Sequence, residues 1–158
     1  MPALAMKIAE FLSPQAVVSA LAARTKAQAL QELCDSLARA HPTLDARKLM
    51  DVLQDREKLG STGIGEGVAI PHGKLQGLPQ LLASFGVSRE GIDFEAIDGK
   101  PTHLFFALVA PENSAGVHLK ALARISRLFK SPTFRAAILQ AREPAQIYEL
   151  IAQEDAKN

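Results

Sequence analysis

The chain predicts an α/β sandwich, a single domain in which helices cover a central mixed β-sheet. Three observations predict it. Short apolar runs that read as strands are interleaved with segments whose apolar residues recur at helical spacing. No stretch is dense in hairpin signals, which argues against an all-β fold and for helices packed on a sheet. Finally, 158 residues, 47% of them apolar, suit one domain that can bury a sizeable core. The domain is taken as residues 1–158, with its core from about 8 to 151.

Ile8, Phe11 and Leu12 fit one face of a short opening helix ended by Ser13-Pro14, and Val17-Val18 reads as a short strand. Thr25-x-x-Gln28 has the form of a capping box, and Leu30, Leu33, Cys34 and Leu37 follow at helical spacing until His41-Pro42. Asp45 caps the next helix, with Leu49, Val52, Leu53 and Leu59 as its inward positions and Arg56 towards its C-terminal end.

Strand-like text then takes over. Gly67–Ile70 and Leu82–Ser88 read as strands, and Gly91–Gly99 as turn-rich connection. His103–Val109, bounded by Pro101 and Pro111, reads as a central buried strand. In the following helix Leu119, Leu122, Ile125, Ser126 and Phe129 share a face. Ser131-Pro132 is a good N-cap and first-turn pair for a helix carrying Phe134, Ile138 and Leu139. Glu143-Pro144 opens the last helix, with Ile147, Leu150 and Ile151 inward, and Gln153–Asn158 reads as a fraying tail. Strand order does not follow from this pattern.

Composition narrows the function classes. The 18 basic and 17 acidic residues nearly cancel and form no block of like charge, so there is no nucleic-acid footprint and no basic membrane patch. The lone Cys34 cannot form an intrachain disulfide and reads as a small buried apolar residue. Met1–Leu12 lacks a basic region followed by a long apolar run, and the longest apolar run, Leu104–Ala110, is far too short to span a bilayer. A cytoplasmic protein is the expectation.

The chemistry concentrates in Gly60–Lys74, where closely spaced glycines end in a histidine held between Pro71 and Gly73. Proline fixes its own φ and pushes Ile70 towards extended backbone, so His72 follows a rigid corner. A neutral, exposed imidazole nitrogen is a competent phosphoryl acceptor. Transfer needs in-line positioning and donors for the phosphoryl oxygens: an amide nest from Gly63, Gly65, Gly67 and Gly73, or a clamp from Arg56. Each residue also has a plainer reading. Taken alone, His72 reads more often as a solvent-exposed loop bystander, Arg56 as part of a solvated helix face in Asp55-Arg56-Glu57-Lys58, and His118 as a capping or partly buried structural histidine. Spacing alone does not separate these readings, and His41 and His103 receive no role.

The run Arg56-Glu57-x-Leu59-Gly60-Ser61-Thr62-Gly63-Ile64-Gly65-x-Gly67-Val68-Ala69-Ile70-Pro71-His72-Gly73 resembles the active-site signature of the fructose/mannitol-type EIIA domains of the phosphoenolpyruvate-dependent sugar phosphotransferase system. Phe94-x-Ala96-Ile97-Asp98-Gly99-x-Pro101, the Phe105–Pro111 strand and His118-Leu119-Lys120-x-Leu122-Ala123 extend the likeness from about Ile8 to about Ile151. It is greatest to the nitrogen-related branch of regulatory phosphocarriers.

The resemblance implies an α/β sandwich with a mixed sheet and a phosphohistidine carried by His72 on Nε2. It implies support of the phosphoryl group by His118 and positioning of histidine and phosphate by Arg56. Glu66 matches an acidic residue near the site, whose charge would make the phosphohistidine a better donor. The implied donor is an HPr-like phosphocarrier, NPr, charged by an enzyme I. The implied targets are regulatory proteins such as potassium-transport or sensor-kinase components, and the scheme uses no metal and no cofactor. Two alternatives stand beside it: a sugar-specific EIIA passing phosphate to a separate EIIB, and a metal hydrolase built on His72, His118 and a carboxylate. The lack of a fused EIIB, EIIC or HPr segment in this sequence favours the regulatory expectation.

Overall fold

A computed structural model describes residues 6–157. A 3₁₀ turn (Ile8–Glu10) leads into β1 (Leu12–Val18), followed by α1 (Lys26–Ala40) and α2 (Ala46–Lys58). Three short strands come next, β2 (Gly63–Gly65), β3 (Val68–Ala69) and β4 (His72–Leu75). Two long strands follow, β5 (Leu82–Ile92) and β6 (Thr102–Pro111), and then α3 (Ala115–Leu128), α4 (Pro132–Gln140) and α5 (Pro144–Ala156). The sheet is mixed, as expected: its order is β1-β5-β6-β3-β2, with β4 also paired to β6.

β6 is the organising strand. It runs antiparallel to β5 along one edge and parallel to β3 and then β4 along the other. Its side chains alternate between two cores. Leu104, Phe106 and Leu108 join Phe85, Ile125, Phe129, Ile147 and Ile151 under α3–α5. Phe105, Ala107 and Val109 join Leu30, Leu33, Leu49, Leu53 and Phe94 under α1 and α2. Helices on both faces explain why this strand reads as an unbroken apolar run rather than an alternating one.

The caps at Thr25, Asp45 and Ser131 accept from the amides of Gln28, Arg47 and Phe134 respectively. The Gln28 carboxamide bonds Arg24 N rather than the cap residue, so only half of the expected box forms. Cys34 is fully buried, and burial pushes its thiol up to about 12.

Several expectations are corrected. The opening helix is only the 3₁₀ turn, and Leu12 already belongs to β1. Pro14 is tolerated there because β1 is an edge strand whose register with β5 slips between Leu12 and Val17. Leu59 is 84% exposed, since six residues at about 100° each carry it off the Leu49–Leu53 face. On α3 the buried residues are His118, Ala121, Ile125 and Leu128, and Leu119 points outward at 67% exposure. Leu139 is also partly exposed. The tail does not fray where it is described: α5 continues to Ala156, and Asp155 is buried against Ile8 N and Arg124. Asn158 lies outside the described residues.

Helix α2 sits directly on β4. A Cβ at Gly73 would lie 2.4 Å from Val52 Cγ1, so this glycine permits the close approach. Gly73→Ala is expected to cost about 1–3 kcal/mol through overpacking, read as a lower denaturation midpoint. Adding Val52→Ala should recover part of the loss, and an unchanged Gly73→Ala midpoint would show that α2 and β4 separate freely.

Candidate active site

The corner at His72 is built as its sequence requires. Val68 and His72 pair with Leu104 and Leu108 in one continuous register along β6, although Pro71 divides β3 from β4. Leu108 N donates to Pro71 O (2.8 Å), which pins the proline on the strand edge. The His72 ring, half-buried, bonds through Nδ1 to Ile70 O at 2.7 Å. A carbonyl can only accept, so Nδ1 carries the proton and the neutral ring keeps its lone pair on Nε2.

His118 comes from the first turn of α3, which starts just past the end of β6. Its ring meets that of His72 edge-on, with centroids 5.4 Å apart and planes at 80°. Only 6% of His118 is exposed, and its buried Nε2 has no hydrogen-bond partner within the protein. Arg56 follows Val52 by one turn on α2, hence on the side that faces β4, and its Nη1 donates to Gly60 O at 2.9 Å.

Both imidazoles are biased towards the neutral form. Burial lowers the His72 pKa most and the Arg56 charge adds to it, against the opposing bond to Ile70 O and the Glu57 carboxylate. Burial, with His72 and Lys74 nearby, pushes His118 from 6.5 down to about 4. Between those pH values the unfolded chain binds a proton that the folded chain refuses, so stability rises with pH there. The contribution is fully present above pH 6.5 and is lost as pH falls through about 4. Denaturant melts at neutral and acid pH should show a smaller acid loss in His118→Gln than in the unsubstituted protein. Equal losses would assign the pH dependence to other groups.

Glu66 is placed differently. It forms the turn between β2 and β3 with Gly67, both at positive φ (60° and 78°), the signature of a type I′ hairpin turn. Its amide donates to Asp98 Oδ2 (3.0 Å), and its carboxylate pairs with Arg135 of α4 (3.2 Å) rather than with either histidine. Gly63, Gly65 and Gly67 therefore serve this hairpin, not an amide nest at His72. No group of three or more His, Cys, Asp or Glu side chains among the described residues is arranged to hold a metal, which leaves the hydrolase alternative without a ligand set.

Glu57 is absent from the residues that the sequence pattern singles out, since Asp55-Arg56-Glu57-Lys58 reads as a solvated helix face. Its side chain is only 6% exposed and lies 3.0 Å from Lys26 Nζ. It accepts from Thr62 N at 3.1 Å and from the Thr62 hydroxyl. The one available signal was the Arg56–Gly73 block, which contains both Glu57 and Thr62.

Comparison with known proteins agrees with this architecture. The family described as "Phosphoenolpyruvate-dependent sugar phosphotransferase system, EIIA 2" matches residues 10–154. A nitrogen regulatory protein of Bradyrhizobium diazoefficiens is 42% identical over 147 residues, covering 93% of this chain and 95% of that protein. The fructose-specific EIIABC component of the phosphotransferase system of Bacillus subtilis is 35% identical over 150 residues, 95% of this chain but 24% of that longer protein. The crystal structure of nitrogen regulatory protein IIA-Ntr from Neisseria meningitidis superposes with a TM-score of 0.85 at 34% identity, covering 91% of this chain and 98% of that one. Among the described residues no helix is long and apolar enough to cross a membrane.

Proposed function

The chain belongs to the EIIA 2 family of the phosphoenolpyruvate-dependent sugar phosphotransferase system and is a regulatory phosphocarrier of the nitrogen-related kind; from that premise we propose that His72 Nε2 is its phosphoryl acceptor. The observation that carries the assignment is the Nδ1–Ile70 bond, which leaves Nε2 as the nucleophile beside His118. Nε2 attacks the phosphorus of a donor phosphohistidine in line. A new N–P bond forms as the donor's N–P bond breaks, and that electron pair returns to the donor imidazole. Nδ1 keeps its proton throughout and donates it to the hydrogen bond with Ile70 O. Arg56 supplies positive charge towards the transferring group, and His118, edge-on to His72, supports that group once it is on Nε2. Glu66, whose carboxylate pairs with Arg135, acts at a distance through repulsion that favours onward donation.

The donor is an HPr-like carrier, NPr, charged by an enzyme I, and the phosphorylation state governs binding to regulatory targets such as potassium-transport or sensor-kinase components. The setting is the bacterial cytoplasm, with residues 1–158 as one EIIA unit. Incubation with enzyme I, NPr and phosphoenolpyruvate should give an acid-labile, base-stable phosphate. Arg56→Ala and His118→Ala should still be labelled, on the order of a hundredfold more slowly for loss of a charge-stabilising donor. If the unsubstituted protein takes no label, the carrier reading fails, and an unchanged Arg56→Ala rate removes Arg56 from the site. The likeness to the fructose-specific component of Bacillus subtilis supports a second reading, donation to a separate EIIB. Rapid passage of label to a fructose-type EIIB would favour it.

A further inference from the structure

Resting on the reading of His72 as acceptor, we propose that Lys26, Glu57 and Thr62 form a positioning unit for His72, with Glu57 at its centre. A continuous series of contacts links them. Lys26 Nζ on the first turn of α1 lies 3.0 Å from Glu57 Oε1. Both the amide and the hydroxyl of Thr62 donate to the Glu57 carboxylate. Thr62 O accepts from Ile70 N at 3.0 Å, and Ile70 O accepts from His72 Nδ1 at 2.7 Å. The carbonyl that holds the His72 tautomer is thus itself held, through one residue, by a buried carboxylate.

The neighbouring fastenings point the same way. Arg56 Nη1 grips Gly60 O, and Ser61 Oγ donates to Phe94 O at 2.6 Å. Lys26 also lies over the Phe94 ring (4.8 Å) and reaches Glu95 (3.1 Å). Burial works against the Lys26 charge, but Glu57 and Glu95 outweigh it and hold the ammonium above its usual range. Thr62 is 4% exposed. Adjacent residues of α2 therefore divide the work: Arg56 offers charge to the phosphoryl group, while Glu57 sets the corner that aims the imidazole. Fixing a small turn would not require a buried anion, which is costly unless fully paired. A carboxylate also opposes the Arg56 charge at His72. The other charged or titratable groups facing the pair of rings are His118 itself and Lys74 on β4.

The test is nitrogen-15 NMR of the His72 imidazole across pH, on the full unphosphorylated chain carrying Glu57→Gln, Thr62→Val or Thr62→Ser. Glu57→Gln and Thr62→Val should weaken the Nδ1–H preference, and Glu57→Gln should move the His72 titration to lower pH. Thr62→Ser, which keeps the hydroxyl, should match the unsubstituted protein. Phosphoryl transfer should fall on the order of tenfold to a hundredfold in the first two, the size expected of a displaced reacting group. A folded Glu57→Gln protein with unaltered tautomer and titration would overturn the proposal, as would Thr62→Val and Thr62→Ser behaving alike. No phosphate enters the NMR measurement, so a failure of the acceptor reading would show in labelling alone and leave this result interpretable.

Discussion

His72→Ala is expected to remove phosphoryl acceptance completely while leaving the fold in place. The side chain is half-buried and makes one bond, to a carbonyl that belongs to the strand edge rather than to the core. Its loss therefore costs little structure, and the two apolar cores are untouched. His118 cannot substitute for it. That ring is neutral at physiological pH, but it is 6% exposed and its Nε2 is enclosed, so no donor phosphohistidine can reach it in line. The His103 ring bonds Ser88 O, not the His72 corner. The measurement is labelling through enzyme I, NPr and phosphoenolpyruvate, with circular dichroism to establish the fold. Label retained at the unsubstituted level by a folded His72→Ala protein would move the acceptor elsewhere.

The largest effect on stability is expected at Asp155, far from the chemistry. Its side chain is 3% exposed and accepts from Arg124 Nε at 2.5 Å and from Ile8 N at 2.7 Å. Arg124 Nη2 also donates to Asp155 O (3.1 Å), so one guanidinium ties α3 to the end of α5 twice. Asp155→Ala would leave the Arg124 charge, itself 17% exposed, and a buried amide without their partner. Removing one member of a buried ion pair costs about 3–5 kcal/mol. For a domain of this size that is a fall in Tm of roughly 10 °C. A double-mutant cycle with Arg124→Ala should give a coupling above about 1 kcal/mol, because the two side chains share one network. A single-mutant loss below that level would mean water replaces the pair and the tail contributes little.

Asp155 also shows where sequence reading reaches its limit. Gln153–Asn158 is polar text at a terminus, and fraying is the local expectation. What holds it are Ile8 and Arg124, and no local pattern announces partners so distant in the chain. Leu12 and Leu119 failed for related reasons. Leu12 sits at helical spacing from Ile8, but it pairs with Ala83 of β5 as the first residue of β1. On α3 a shift of one position, about 100°, separates the face that was read from the face that is buried. His118, which reads as a capping or partly buried structural histidine, occupies that buried face, where its ring meets that of His72 on β4. Glu57 was hidden among the charges of Asp55–Lys58, and only the return of Thr62 and the approach of Lys26 reveal its burial.

Other features were legible because their causes are local. Thr25, Asp45 and Ser131 cap helices through contacts within a few residues, and Pro71 makes a rigid corner by its ring alone. The glycines did mark backbone of unusual geometry, but their use was misjudged: positive φ is a local property, whereas the choice between a hairpin turn and an anion nest depends on what pairs with β3. By itself, then, the sequence determined the α/β class, most helix starts, the family signature and the identity of the acceptor candidate. Only the tertiary structure decided that His118 lies edge-on to His72, that Glu66 turns away to Arg135, and that Glu57 is buried beneath the corner. Backbone propensity acts over a few residues, while the partner of a charge or a ring is set by whichever distant segment the sheet brings alongside.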